Sequence, residues 1–116
     1  MDNVEISTAT VQTDRPARYG KQLVSHMSRR GHGEWDGGLE TGHLELRGGR
    51  VELEATDGAL VLRLAVASGD DIARLEDVVG RHLVRFGTRD ELIVAWHRGD
   101  GTAGTVQRNE DPDPDA

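Results

Sequence analysis

The sequence predicts an α+β fold: a two-layer sandwich in which a mostly antiparallel sheet carries two helices on one face, in the order β-α-β-β-β-α-β. Three observations carry this expectation. Ile72, Leu75, Val78, Val79, Leu83 and Phe86 recur with the period of a helix that buries one side. Val51, Leu53 and Ala55, then Leu60, Leu62, Leu64 and Val66, recur with a period of two on either side of Asp57-Gly58, the pattern of two strands joined by a tight hairpin. The chain has 116 residues and no cysteine, which gives room for a single core closed without disulfides.

Val4–Thr13 is rich in Val and Thr and reads as the first strand, with a change of phase between Ile6 and Val11 that predicts a bulge or bend. Asp14-Arg15-Pro16 reads as a helix start, with Asp14 as cap and Pro16 in the first turn. The helix carries Tyr19, Leu23 and Met27 and stops at Gly31. Glu34-Trp35 is a candidate for an additional short strand, and His43–Leu46 is the next regular one. Arg47-Gly48-Gly49-Arg50 supplies a turn, and Asp57-Gly58 predicts a type I′ hairpin. Ser68 and Asp71 have the spacing of a capping box before the second helix, and Gly87 ends it. Glu91–His97 is the last expected strand, with Leu92, Val94 and Trp96 on one face. Residues 1–98 are thus expected to form one domain. Residues 99–116, rich in Gly and Asp and ending Asp-Pro-Asp-Pro-Asp-Ala, are expected to be a disordered acidic tail.

Net charge is −7, and more than half of it falls in that tail, where Asp100, Glu110, Asp111, Asp113 and Asp115 face Arg108 alone. A mildly acidic body is a poor match for nucleic acid, whose binding needs a basic surface. No apolar run approaches the roughly 20 residues that cross a bilayer, and Met1–Glu5 lacks the basic and apolar features of a signal peptide. The expected location is cytoplasmic, with neither nucleic acid nor membrane as partner.

The histidines are the groups that titrate near neutral pH. With Leu75 at the centre of the second helix's apolar stripe, His82 falls about 20° from that centre and is expected to point into the core. On the first helix, His26 and Tyr19 flank the stripe on one side. Helices packed side by side therefore bring His26, His82 and Tyr19 together as a candidate ligand or metal site. The outer sheet face offers an alternative in His43, Glu45, Glu52, Glu54 and His97, with Arg63 on the same side. A row of this kind is also what a solvated sheet face with cross-strand ion pairs looks like. There is no phosphate-binding glycine loop and no nucleophile elbow, so no catalytic residue is assigned. The residues leave the cofactor unknown, and an enzymatic role ranks behind a binding one.

Asp14-Arg15-Pro16-Ala17-Arg18-Tyr19 with Gln22-Leu23 and His26, then Leu60–Leu64, then Leu75-Glu76-Asp77-Val78-Val79-Gly80-Arg81-His82-Leu83 running on through Arg85-Phe86, Arg89, Glu91 and Trp96, resemble the bacterial domain-of-unknown-function family 2218. The resemblance spans about Val4 to His97. It implies a small α+β domain of the kind derived above, without an established activity, and histidines at the positions of His26 and His82. It further implies a siderophore and iron-uptake setting, with a siderophore-interacting ferric reductase as partner. Two functions follow as expectations: an accessory ligand- or partner-binding module in that setting, or an interaction domain that dimerises through its open sheet face.

Overall fold

The structure is a computed structural model that describes residues 4–28, 32–67, 71–86 and 91–108. Among these, seven strands and two helices follow one another as β1 (Val4–Gln12), α1 (Pro16–Met27), β2 (Gly33–Asp36), β3 (Thr41–Leu46), β4 (Gly49–Thr56), β5 (Ala59–Ala67), α2 (Ile72–Phe86), β6 (Ile93–Arg98) and β7 (Ala103–Arg108). The strands form one antiparallel sheet in the order β2-β3-β4-β5-β1-β6-β7. The α+β class and the two helices on an open antiparallel sheet agree with expectation, whereas the element order gains two strands. Glu34-Trp35 belongs to a true edge strand, β2, and the chain makes another strand after β6. Gly99–Arg108, expected to lie in the tail, forms a turn and the opposite edge strand, β7. Residues 109–116 lie outside the described residues.

The core lies between the sheet and the helices. Leu60, Leu62, Leu64 and Val66 of β5 are fully buried, and each such side chain contributes roughly 1.5–3 kcal/mol relative to exposure. Val51 and Leu53 of β4, Ala9 and Val11 of β1, and Val94 and Trp96 of β6 complete the sheet's inner layer. Leu23 and Val24 of α1 and Leu75, Val79 and Leu83 of α2 close over it. α1 covers β2 to β5, and α2 covers β7, β6 and β1. The other sheet face has no helix among the described residues.

Several local expectations are corrected. β1 and β5 pair without interruption from Val4↔Ala67 to Gln12↔Ala59, so there is no bulge. The apparent change of phase arises because Ser7, a polar residue, takes an inward position in line with Ala9 and Val11. Asp14 does not cap α1. Arg15 occupies the N-cap without a side-chain cap, its own N–H donating to Thr13 Oγ1 at 3.0 Å, while Pro16 begins the helix as expected. For α2 the cap is Asp71, whose Oδ1 accepts the Arg74 N–H at 3.1 Å. Ser68, Gly31 and Gly87 lie outside the described residues. In the hairpin after β4 only Gly58 has a positive φ, 82°, and Asp57 does not, so the turn is not type I′. No helix is long and apolar enough to cross a membrane among the described residues.

Candidate functional site

α1 and α2 lie side by side, and the expected approach of their histidines occurs. The ring centres of His26 and His82 are 5.3 Å apart, with the planes tilted by 47°. The Phe86 ring stands edge-on to His26 at 5.2 Å. The depth of the pair differs from expectation: His26 is exposed and His82 half-buried. The buried face of α2 comprises Ile72, Leu75, Glu76, Val79, Gly80, Leu83 and Val84. Glu76, Gly80 and Val84 widen it on the side away from His82, which leaves His82 roughly 100° from its centre. His82 therefore sits at the rim of the core, and its Nδ1 lies 2.6 Å from the carbonyl oxygen of Val78, one turn earlier. Tyr19, the third residue expected here, is buried in the core.

On the outer face, strand register settles which side chains meet. His43 pairs with Glu34 and with Glu52, Glu52 with Arg63, Arg63 with Thr8, and Thr8 with His97. A single transverse row thus runs Glu34–His43–Glu52–Arg63–Thr8–His97 across six strands. Glu54 lies in the next row, between Thr41 and Val61. Glu45 is drawn off the site, since it binds Arg50 at 2.6 Å, and Arg50 also approaches Glu52 at 3.7 Å. His97 is separated from the acids by Arg63 and Thr8. Glu34, His43, Glu54 and Arg63 have no ion pair or hydrogen bond through their side chains among the described residues. The β2–β5 end of this face is a concavity of about 790 Å³, lined by Glu34, Asp36, His43, Glu52, Glu54 and Arg63 among others. Among the described residues no group of three His, Asp or Glu side chains is placed to hold a metal ion.

A third constellation escaped the sequence reading. Glu76, on the buried side of α2, is 0% exposed. Its Oε2 accepts from Ser7 Oγ at 2.7 Å and Arg98 Nε at 3.2 Å. Its Oε1 accepts from Arg98 Nη2 at 3.1 Å and from the N–H and hydroxyl of Thr105, both at 3.0 Å. Gln107 extends the network: its Oε1 accepts the Trp96 indole N–H at 2.8 Å, and its Nε2 donates to Thr105 Oγ1 at 2.8 Å. Burial pushes the Glu76 carboxyl up, but hydrogen bonds from Arg98, Ser7 and Thr105 outweigh it and hold the group below its ordinary value. Glu76 is thus an ionised, fully satisfied group that ties α2 to β1, β6 and β7. Gly80, one turn along the same face, lets Gln107 lie directly against the helix; a Cβ there would run into the Gln107 side chain. Two signals were present in the sequence. Ser7 broke the period of β1, and Glu76 stood next to Leu75 inside the apolar period of α2. Neither named its partner, because Thr105 and Gln107 lie in a segment that composition assigned to the tail.

Fold and faces together define a small α+β domain with a fully hydrogen-bonded polar network under one helix and an open, charged sheet face. The chain belongs to the family of uncharacterised proteins conserved in bacteria known as DUF2218, whose model matches residues 8–97. It is also similar to PA4090 from Pseudomonas aeruginosa, solved by NMR, with 27% sequence identity and a TM-score of 0.63, over 79% of this chain and 94% of that one. No curated protein matches. These findings support the family and the fold, and carry nothing about siderophores, iron or a ferric reductase. β7 lies beyond the residues that the family model matches.

Proposed function

We propose that this domain is a binding module that holds a small, amine-bearing polar ligand in the concavity on the outer face of its sheet. The observation that carries the reading is the set of polar side chains lining that concavity that make no ion pair or hydrogen bond among the described residues: Glu34, His43, Glu54 and Arg63. Its volume of about 790 Å³ is in the range of small-molecule sites, roughly 300–1,000 Å³. Glu34, Glu52 and Glu54 offer acceptors to ammonium or hydroxyl groups, and Arg63 offers a bidentate donor to a carboxylate or phosphate at the other end of the row. Thermal-shift and amide-NMR titrations with 1,4-diaminobutane and L-arginine test it. The expected result is shifts at His43, Glu52 and Arg63, with affinity for L-arginine falling about tenfold, or ~1.4 kcal/mol, in Arg63→Ala. No perturbation at millimolar ligand, or one that Arg63→Ala leaves unchanged, rejects the reading.

A second reading, self-association, is favoured by one observation. Ile93 and Val106, on the outer face of β6 and β7, are 49% and 43% exposed. In a two-fold dimer the same patch meets itself, so the acidic β2–β4 end would face like charges while this strip would not. A monomer by sedimentation at hundreds of micromolar would reject it.

A further inference from the structure

We propose that His26 and His82 form a two-imidazole site for a divalent transition-metal ion on the seam between α1 and α2. The site is separate from the outer-face concavity and independent of it. The first support is the hydrogen bond of His82. A carbonyl oxygen only accepts, so the 2.6 Å contact with Val78 O is made by an Nδ1–H, and the tautomer of the neutral ring that makes it carries its lone pair on Nε2. This is the arrangement of metal-ligating histidines, which donate the second ring N–H to a carbonyl or carboxylate and so fix tautomer and ring orientation.

Spacing gives the second support. With metal–nitrogen bonds of about 2.0–2.1 Å, each ring centre lies about 3.2 Å from the ion, and a tetrahedral angle then separates the two centres by about 5.2 Å. The observed separation is 5.3 Å. The third is access and constraint together: His26 is exposed, His82 half-buried, and Phe86 braces the His26 ring edge-on.

Imidazole suits Zn²⁺, Cu²⁺ and Ni²⁺ better than it suits the hard cations. No third His, Asp or Glu completes a cluster among the described residues. The pair therefore supplies half of a tetrahedral shell and leaves the remaining positions to water or to a donor that the bound species brings with it. Because the two rings come from different helices, an ion joining them also cross-links α1 to α2.

The test is titration of the untagged full chain with Cu²⁺ and Zn²⁺, followed by electron paramagnetic resonance and calorimetry. One equivalent of Cu²⁺ with hyperfine coupling to two imidazole nitrogens is expected. His26→Ala and His82→Ala should each weaken binding at least about tenfold, while His43→Ala and His97→Ala leave it unchanged. Should either helix variant unfold, paramagnetic broadening in the wild-type chain decides: the ring signals of His26 and His82 should disappear together at substoichiometric Cu²⁺. No binding up to millimolar ion, coordination through a single nitrogen, or broadening centred on other histidines overturns the proposal.

Discussion

The carboxylate of Glu76, beneath α2, accepts five hydrogen bonds at 2.7–3.2 Å. On the opposite side of the sheet Glu34 and Glu54 accept none among the described residues, and Arg63 meets no anion. Both regions use Glu, Arg and Thr, so residue type does not separate them; satisfaction of the charges does. A buried carboxylate is tolerable only when paired and hydrogen-bonded, so the inner network is committed to holding α2 on β1, β6 and β7. The outer row keeps its charges in water, where leaving them unpaired costs little, and they remain available to a ligand. The inner region therefore accounts for stability and the outer one for the proposed binding.

Truncation of Glu76 should separate the two regions most sharply. Glu76→Ala strands the buried Ser7 hydroxyl and takes the acceptor from the half-buried Arg98 and Thr105; it should cost about 3 kcal/mol, the low end for breaking a buried pair, read from urea unfolding. A loss below about 1 kcal/mol would mean that water replaces the carboxylate and that the network does not hold α2 on the sheet. The same group sets an acid limit. Its folded pKa lies below the ordinary value of 4.5, so the unfolded chain takes up the proton first as pH falls. The stability it contributes is present above the ordinary carboxylate range and is lost as pH drops through the lowered folded value. Glu76→Gln should flatten the fall in stability below pH 4.5, and a slope the same as that of the wild-type chain would mean that another group sets the acid limit.

Gly80→Ala comes next. A methyl group pressed into Gln107 should cost about 1–3 kcal/mol by overpacking, with faster solvent exchange of the Trp96 indole proton that Gln107 now accepts. Unchanged exchange of that proton at full stability would show that Gln107 has another seat. The smallest effect is expected at Arg63, where substitution by Ala should change stability by no more than about 0.5 kcal/mol even as it weakens binding of a carboxylate ligand. A larger loss of stability would make Arg63 a structural residue and weaken the contrast between the faces.

Much of this was legible along the chain. The period of two in Val51–Val66 and the helical period in Ile72–Phe86 identified β4, β5 and α2 because each buries one face, and one-sided burial writes itself into the spacing of apolar residues. β7 was not legible. Ala103–Arg108 is an edge strand whose inward position holds Gln107, so its pattern carries no apolar alternation. The depth of His82 was misjudged for a related reason. Glu76 and Gly80 are buried but do not count as apolar, and omitting them moved the apparent centre of the helix face toward the histidine.

The sequence by itself determined the α+β class, both helices, and the inward residues of β4, β5 and β6. All of these follow from local periodicity and packing of apolar area. Tertiary structure alone decided the strand order, the transverse row from Glu34 to His97, and the closure of Ser7, Glu76, Arg98, Thr105 and Gln107 into one network. Those depend on register and on contacts between residues as far apart in the chain as Ser7 and Arg98. A polar side chain states in the sequence that it needs a partner, but only the folded chain determines which one it receives.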